Sequence, residues 1–492
     1  MKSERRTKDS IETMSYIELG SKEKVLFERI AHVTRLLNTE AYVIGGFVRD
    51  RILGRESKDI DIVCKDDGIE LAQKFAAEEG LEDSFKQYSK YGVAMVRWGD
   101  YEIEFVGARK ESYSADSRNP EVEKGTLHDD QLRRDFTINA LAFSVQDFDN
   151  PAIIDPFMGL SDLEEGLIRT PTDPYRTFTD DPLRMMRAVR FASQLNFKLE
   201  ESTRNAIPDN VHRLKIVSQE RLTTEFNKIL CSDRPSIGLG LMEELGLMEV
   251  ILPELSQMNH VEIIQNKGHK NNFYHTLEVV DNVAQSSDNL WLRWAALLHD
   301  IGKPRTQRFD KEHGWTFHGH EVVGARMVSR IFKRMRLPMD HKMKYVAKLV
   351  RLHLRPIALV SSETSDSAIR RLLYDAGEDI DDLMILCEAD ITSKNESRVR
   401  TYLNNYKKVR QRMIEVEESD HLRNWQPPID GQLIMDTFGI RPGPKIGEIK
   451  TAIREAILEG EIENTFDAAY TFMIEEGKKL GLSPVRENRS EE

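Results

Sequence analysis

Residues 41–63, AYVIGGFVRDRILGRESKDIDIV, restrict the possible fold more than any other part of this chain. The first four residues form an apolar run that predicts a short buried strand. Gly45 and Gly46 follow at once, and a glycine pair after a strand allows a tight turn whose backbone can approach a ligand. Asp59 and Asp61 alternate with isoleucines in a second predicted strand, which places both carboxylates on one face.

These two carboxylates predict a cation site. Like charges side by side are costly unless a cation lies between them, and Mg²⁺ prefers carboxylate and phosphate oxygens. An ordinary turn followed by a solvent-facing strand would explain either half of the stretch alone, but both halves in this order favour a nucleotidyl transferase. Glu104, in a further predicted strand over residues 101–106, is either a third metal ligand or a solvent-facing residue.

Composition is that of an ordinary water-soluble protein, with 40 % hydrophobic and 31 % charged residues. The sequence has no apolar run of the roughly 18 residues that a membrane-spanning helix needs, and its first residues lack the apolar segment of a secretory signal. The three cysteines match no zinc spacing. We therefore expect a cytoplasmic protein without a membrane partner. The net charge of −13 argues against broad polyanion binding but leaves room for a local basic face.

A second charged stretch, residues 132–143 (LRRDFTINALAF), follows a long aperiodic segment, residues 109–130, that we predict to be a functional or mobile loop. Arginine donates to phosphate in a planar fork, and aspartate can accept from a ribose hydroxyl. Arg133, Arg134, Asp135 and Asn139 are therefore candidates for a nucleotide sugar or phosphate site. A solvated helix start would also explain the charges.

Residues 179–191 (TDDPLRMMRAVRF) predict a helix with proline in its first turn and Asp180 or Thr179 as its cap. Three charged residues recur at steps of three and share one side of this helix: Asp181, Arg184 and Arg187. An acceptor and a donor on one rigid helix can read a base. An intrahelical ion pair is the alternative interpretation.

Five motifs taken together resemble those of class II tRNA nucleotidyltransferases, the CCA-adding enzymes and the related bacterial poly(A) polymerases, within the DNA-polymerase-β-like superfamily. They occur in family order over residues 25–265: Gly45-Gly46-x-x-Arg49-Asp50, Asp59-x-Asp61, Arg133-Arg134-Asp135-Phe136-Thr137-x-Asn139-Ala140, Asp155-Pro156 to Asp162-Leu163, and Asp180-Asp181-x-x-Arg184. Asp180 departs from the pattern, since the family more often has glutamate there.

The resemblance implies an α/β catalytic head with a mixed sheet, followed by a mostly α-helical neck, body and tail. It implies template-free addition of CCA to the 3′ end of tRNA from CTP and ATP, with Mg²⁺ at Asp59 and Asp61. It also implies nucleotide-binding roles for the remaining motif residues: Gly45, Gly46, Arg49, Arg133, Asp135, Asn139 and Arg187 around sugar and phosphates, and Asp181 and Arg184 at the base.

The character of the sequence changes from about residue 272, and further along the chain His299 and Asp300 directly follow the apolar segment WLRWAALL. Imidazole and carboxylate together suit a first-row divalent metal. The spacing resembles the HD phosphohydrolase superfamily, which implies a divalent transition metal (Mn, Ni, Co or Fe) and hydrolysis of phosphoesters, with 2′,3′-cyclic phosphodiesterase or phosphatase activity. The implied ligands are His275, His299, Asp300 and Asp390, with His320 and His353 matching a second metal position in some HD families.

We predict a polar extension over residues 1–24, a head over 25–165, a neck and body over 166–265, an HD domain over 266–400 and a helical tail over 401–492. Poly(A) polymerase and enzymes that add only CC or only A are alternatives; net acidity disfavours the first, since processive binding of varied RNA favours a basic surface. A metal phosphohydrolase whose head serves as an RNA-binding module is the alternative of another class.

Overall fold

The computed structural model describes residues 16–112, 121–261, 263–264, 267–268, 271–360, 365–392, 395–420 and 427–485. Over this part, the chain divides into two compact units, Met1–Pro253 and Glu254–Glu492. Most of the predicted polar extension and the last residues of the chain lie outside the described residues.

The first unit begins with a mixed α/β fold and continues as helices. Its strands are β1 (Ala41–Ile44), β2 (Asp59–Cys64), β3 (Lys86–Tyr88), β4 (Val93–Trp98), β5 (Tyr101–Gly107), β6 (Arg109–Ser112), β7 (Glu121–Lys124), β8 (Ala142–Ser144), β9 (Leu167–Ile168) and β10 (Lys198–Leu199). Its helices are α1 (Ser21–Leu36), α2 (Gly46–Ile52), α3 (Gly68–Glu79), α4 (Leu127–Leu132), α5 (Gly159–Glu165), α6 (Pro174–Asp180), α7 (Leu183–Leu195), α8 (Glu201–Asn210), α9 (Gln219–Leu230), α10 (Pro235–Glu244) and α11 (Leu247–Ile251).

The main sheet has the strand order β3-β4-β5-β2-β1-β8 among the described residues. β2 and β5 run parallel, whereas the other neighbours are antiparallel, so the predicted mixed sheet is confirmed. In the register, Asp61 lies between Ile44 on β1 and Glu104 on β5. This pairing brings the glycine turn after β1 and the carboxylates of β2 and β5 to one place.

The head is held together by an aromatic core between α1 and the sheet. Phe27 on α1 packs edge-on against Phe47 on α2, with 5.7 Å between ring centroids, and against Phe143 on β8 at 5.5 Å. All three rings are buried. Such edge-to-face contacts add about 0.5–1.5 kcal/mol each beyond the burial of apolar area. They fix α2, which carries Arg49, against the sheet.

The helix that carries the predicted base-reading residues begins later than expected. α7 starts at Leu183, and neither predicted cap, Thr179 nor Asp180, caps it, because both belong to the end of α6. The earlier helix forms because Asp173 caps it and proline occupies its first turn. Asp181 then lies between the two helices, and its Oδ1 accepts from the Leu183 amide at 3.2 Å.

The segment 109–130 is more ordered at its ends than predicted. β6 and β7 pair as an antiparallel hairpin, and α4 follows. Thr126 caps α4 by accepting from the Asp129 amide, and the Asp129 carboxylate accepts from the Thr126 amide in return. The prediction of a loop over the whole segment is therefore wrong at both ends; residues 113–120 lie outside the described part.

The second unit is mostly helical. After α12 (Pro253–Ser256), its helices are α13 (Asn272–Ser286), α14 (Leu290–Leu298), α15 (Lys303–Thr306), α16 (His320–Arg334), α17 (His341–Leu352), α18 (Arg355–Val360), α19 (Asp366–Ala376), α20 (Ile380–Ala389), α21 (Glu396–Asp420), α22 (Gly431–Phe438), α23 (Pro444–Glu459) and α24 (Phe466–Lys479). Short strand pairs are β11 (Ile263–Ile264) with β12 (Lys267–Gly268) and β13 (Arg308–Asp310) with β14 (Gly314–Thr316).

The apolar sequence of α14 explains its central place in this unit. From Leu292 to Leu298 every residue is buried, as expected for a helix that is apolar on nearly all sides.

The predicted helical tail is confirmed, and α22, α23 and α24 share a core of Phe438, Ile453 and Met473. Among the described helices, none combines the length and apolarity that crossing a bilayer requires.

Candidate active sites

A cavity of about 770 Å³ lies where the glycine turn, the β2–β5 pair and α7 meet. Among the described residues, its lining includes these carboxylates and arginines: Asp50, Asp59, Asp61, Glu104, Asp135, Asp181, Arg49, Arg109, Arg133, Arg134, Arg184, Arg187, Arg190 and Arg221. Guanidinium groups outnumber carboxylates, so the wall favours an anionic ligand such as a triphosphate.

The carboxylates of β2 and β5 form the acidic part of this cavity. Strand alternation buries Ile60 and Ile62 and leaves Asp59 exposed and Asp61 half-buried, as predicted. Asp61 lies opposite Glu104 in the parallel register. Burial and, secondly, the charge of Asp61 raise the pKa of Glu104. A divalent cation would relieve this repulsion, and oxygen-only donors of this kind fit Mg²⁺.

Gly45 occupies a position that a larger residue could not take without strain. Its φ is 88° and its ψ −135°, a region essentially restricted to glycine. A Cβ there would lie 2.6 Å from Nη1 of Arg134 and 3.1 Å from Oδ2 of Asp61. The missing side chain thus allows Arg134 to lie within 3.5 Å of the Asp61 carboxylate, while Asp130 holds the same guanidinium from the other side.

A chain of hydrogen bonds links four residues behind the phosphate-facing wall. Arg49 donates from Nη1 to Oδ1 of Asn139 at 2.6 Å, and Asn139 donates from Nδ2 to Oδ1 of Asp135 at 2.9 Å. Arg187 donates from Nε to the other oxygen of Asp135 at 2.6 Å. Burial alone would raise the pKa of Asp135, but Arg187 and Asn139 outweigh it and hold the pKa at about 2.

Asp181 lies just before α7 and Arg184 lies in its first turn, and both line the cavity. Asp181 is fixed by the bond it accepts from the Leu183 amide, and Arg184 donates from Nη2 to the carbonyl oxygen of Arg133. Arg133 is itself held by an ion pair with the buried Asp130. An acceptor and a donor therefore lie at one end of the cavity on backbone that is braced by its neighbours.

The second candidate site lies in the helical unit, where histidines and aspartates from several helices converge on Asp300. Oδ2 of Asp300 lies 3.7 Å from Nε2 of His275 and 3.3 Å from Nε2 of His299. Oδ1 lies 3.2 Å from Nε2 of His320 and 3.8 Å from Nε2 of His353. Asp300 is therefore shared by two sets of potential ligands, each with donor atoms within 4.8 Å of one another among the described residues.

The orientation of the imidazoles favours metal binding. Nδ1 of His299, His320 and His353 each lies 2.7 Å from a backbone carbonyl oxygen, of Ala296, Phe317 and Val350 respectively. Because a carbonyl only accepts, each Nδ1 must carry the proton, and in the neutral ring Nε2 keeps its lone pair. All of these Nε2 atoms point at Asp300.

His275 and Asp390 complete the cluster. Nε2 of His275 lies 2.8 Å from Oδ1 of Asp390, while its Nδ1 lies 2.8 Å from the Thr392 hydroxyl. Nε2 of His299 is fully buried and finds no hydrogen-bond partner among the described residues. An orphaned buried ring nitrogen is costly, and a bound metal ion would satisfy it. The residues present therefore fit a divalent metal.

Comparison with protein-family models covers both sites. Residues 41–169 match the Poly A polymerase head domain, residues 196–258 the "Probable RNA and SrmB- binding site of polymerase A", and residues 272–395 the HD domain. The chain is 30 % identical over 438 residues to the A-adding tRNA nucleotidyltransferase of Deinococcus radiodurans, covering 86 % of this chain and 92 % of that protein. The chain belongs to the tRNA nucleotidyltransferase family.

Other members of the family differ in the nucleotides that their names mention. The CC-adding tRNA nucleotidyltransferase of Thermus thermophilus is 31 % identical over 454 residues, 88 % of this chain and 93 % of that one. The crystal structure of the Bacillus stearothermophilus CCA-adding enzyme in complex with CTP shares the fold, with a TM-score of 0.68 and 22 % identity over 94 % of this chain and 99 % of that one. The polymerase-β-like head followed by a mostly helical remainder is thus confirmed.

In this nucleotidyltransferase, the structure brings every residue predicted for the transferase site to one cavity. Gly46, Asp59, Asp61 and the predicted asparagine and arginines line it, and Gly45 lies directly behind Asp61. Sequence reasoning did not assign a site role to Arg190, which also lines the cavity. Arg190 continues the step of three that starts at Asp181, so the same periodicity could have found it.

Arg190 shows how α7 and α9 support the site. Its guanidinium lies 4.0 Å from the ring centroid of Phe191 and pairs with the buried Glu225 of α9 at 2.6 Å. Burial lowers the pKa of Arg190 to about 10, although Glu225 opposes this. Arg49 and Arg187 also contact Phe191, with their guanidinium carbons 4.9 and 5.4 Å from its centroid.

Proposed function

We propose that the cavity of the first unit adds CTP- and ATP-derived nucleotides, ending in CCA, to the 3′ end of tRNA. The observation that carries this proposal is the meeting of Asp61, Glu104 and the Asp181–Arg184 pair in one arginine-lined cavity. Mg²⁺ at Asp59 and Asp61 would stabilise the charge that develops when the RNA 3′-hydroxyl displaces pyrophosphate at the α-phosphate. The family of the head domain and the HD family both imply the use of divalent metals. That the metal of the transferase cavity is Mg²⁺ is part of our proposal.

The chain's own residues have separate tasks in this step. Arg49 and Arg187, aligned by the Asn139–Asp135 bonds, would hold the triphosphate in line for attack. Asp135 stays ionised at every working pH because its pKa is about 2. The alignment of these arginines is therefore independent of pH above about 4.

Nucleotide choice follows from the chemistry of Asp181 and Arg184. Cytosine and adenine each present an amino group beside an unprotonated ring nitrogen, whereas uracil and guanine present a carbonyl oxygen beside a protonated one. A carboxylate accepts from the amino group while a guanidinium donates to the ring nitrogen, so this pair admits cytosine and adenine and rejects the other bases. The A-adding and CC-adding relatives are about equally similar to this chain, 30 % and 31 % identical.

The test is extension of a tRNA transcript that lacks its CCA end, with Mg²⁺ and CTP alone, ATP alone, or both. We expect two additions with CTP and a third only when ATP is also present. Adenosine addition restricted to transcripts already ending in CC would make this an A-adding enzyme, and long adenosine tails would make it a poly(A) polymerase. UTP and GTP serve as controls and should not be incorporated.

We propose a second activity, metal-dependent phosphoester hydrolysis, for the HD cluster. It rests on the convergence of histidine Nε2 atoms on both oxygens of Asp300. A divalent transition metal (Mn, Ni, Co or Fe) bound by His275, His299, Asp300 and Asp390, with a second at His320 and His353, would supply an activated water. Lys303 pairs with Asp300 and would neutralise a substrate phosphate bound there.

Hydrolysis of 2′,3′-cyclic AMP and of p-nitrophenyl phosphate tests this activity, with the metal-stripped protein reloaded by each metal in turn. We expect turnover with at least one transition metal and loss on chelation. Absence of both turnover and bound metal after reloading would contradict the proposal and leave the cluster a structural one.

A further inference from the structure

Positive charge is concentrated in one part of this acidic chain. Residues 322–360 contain ten lysines and arginines and a single acidic residue, Asp340, a formal charge of +9. Since the whole chain carries −13, the rest carries −22. Charge segregation of this size within one protein is typical of a surface that meets a polyanion, and the chain average conceals it.

Much of this charge is exposed and unneutralised. On α16, Arg326, Arg330 and Lys333 recur at helical spacing and are exposed. Within the described part of the chain, these three and Lys342 and Lys344 of α17 make no ion pair. Three other cations of the segment do pair: Arg334 with Glu254, Lys348 with Asp379 and Arg355 with Asp375.

A cavity of about 620 Å³ lies beside the first turns of α17. Trp291 of α14 forms part of its wall, and Nζ of Lys342 lies 5.2 Å from the Trp291 ring centroid. Tyr345 is fixed on the same wall by donating its hydroxyl to Asp382 at 2.7 Å. Lys344 extends from the rim. Half-exposed aromatic surface and unpaired ammonium groups thus occur together, the combination that binds a nucleotide base and its phosphate.

We propose that this face, formed by α17 with Trp291 and the exposed side of α16, binds the RNA that the enzyme extends. Lysines and arginines meet backbone phosphates, and an unpaired base enters the cavity against Trp291. RNA fits better than a free nucleotide because the unpaired cations extend along α16, beyond the cavity, where a mononucleotide would leave them unused. The identity of the RNA as tRNA rests on the proposed transferase function.

The test is binding of fluorescent tRNA to the full chain, without nucleotides, between 50 and 200 mM salt. The variant is Lys342→Ala/Lys344→Ala. We expect roughly tenfold weaker binding near physiological salt, and a plot of log K against log salt whose slope is smaller by about 1.4–1.8, since each lost phosphate contact removes about 0.7–0.9. The KM for tRNA should rise while the KM for CTP and ATP stays unchanged.

The matched control is Lys65→Ala/Lys74→Ala, which removes the same charge from lysines that pair with Glu40 and Glu78. It should leave the salt slope unchanged. Wild-type affinity and slope in the α17 variant would overturn the proposal, as would a raised nucleotide KM with unchanged tRNA binding, which would assign the cavity to a free nucleotide. If the double variant does not fold, the single substitution Lys344→Gln, at an exposed lysine, takes its place in the same assay. Because tRNA binding is measured directly, its outcome does not depend on whether the protein extends tRNA. A failure of tRNA extension would therefore count against the transferase function and not against the RNA-binding face.

Discussion

Replacing Gly45 with alanine tests the geometry of the transferase cavity most sharply. At φ 88° and ψ −135° an alanine costs about 1–3 kcal/mol of backbone strain. Its Cβ would also lie 2.6 Å from Nη1 of Arg134. The guanidinium must therefore move, and its contact with Asp61 at 3.5 Å is lost. We expect the free energy of unfolding to fall by about 1–3 kcal/mol and kcat for nucleotide addition to fall roughly tenfold or more.

Gly54→Ala is the matched control. Gly54 also has a positive φ, 68°, but its Cβ would meet nothing within 4 Å. This variant should lose about 1–2 kcal/mol of stability and keep its kcat. Chemical denaturation and single-nucleotide addition, both at a temperature where each variant is folded, separate the two effects. Equal kcat values for the Gly45 and Gly54 variants would refute the reasoning that the glycine makes room for Arg134.

Further predictions concern charge and metal content. The native pKa of Asp135, about 2, lies below its usual 3.8, so its stabilisation is present above pH 4 and is lost as pH falls towards 2. Asp135→Asn should lower the unfolding free energy by about 2 kcal/mol at pH 7, and denaturation at pH 3 should show a smaller difference; a pH-independent difference would contradict this. Arg184→Ala should reduce discrimination against UTP at least tenfold in competition assays, whereas unchanged discrimination would exclude a base-reading role. His320→Gln should lower the transition-metal content, measured by elemental analysis, from two ions per chain to one. Unsubstituted protein that binds one such ion per chain would refute the proposal that two metal ions share Asp300.

The sequence predicted those features of the fold that depend on local pattern. Alternation placed Asp59 and Asp61 on one face of β2, and the apolar run over residues 41–44 forms the buried strand β1. Pairing between distant strands carries no local signal. Glu104 therefore stayed an open choice until the parallel register placed it opposite Asp61.

The errors have the same origin. The cap of α7 was misplaced because Asp173 and the proline after it start an earlier helix, so two competing helix starts lie within ten residues of each other. Likewise, the pairing of β6 with β7 is a property of both strands together. The net charge of the whole chain, −13, also masks the formal charge of +9 in residues 322–360, because the acidic residues elsewhere outweigh it.

We propose that the chain holds two separate catalytic centres, one for nucleotidyl transfer at Asp61 and one for phosphoester hydrolysis at Asp300. The most direct test assays Asp61→Asn and Asp300→Asn in both reactions, with the exposed Asp83→Asn as control. We predict that Asp61→Asn abolishes nucleotide addition and keeps hydrolysis, that Asp300→Asn does the reverse, and that the control keeps both. Wild-type addition by the Asp61 variant, or loss of both reactions in either folded variant, would contradict the account.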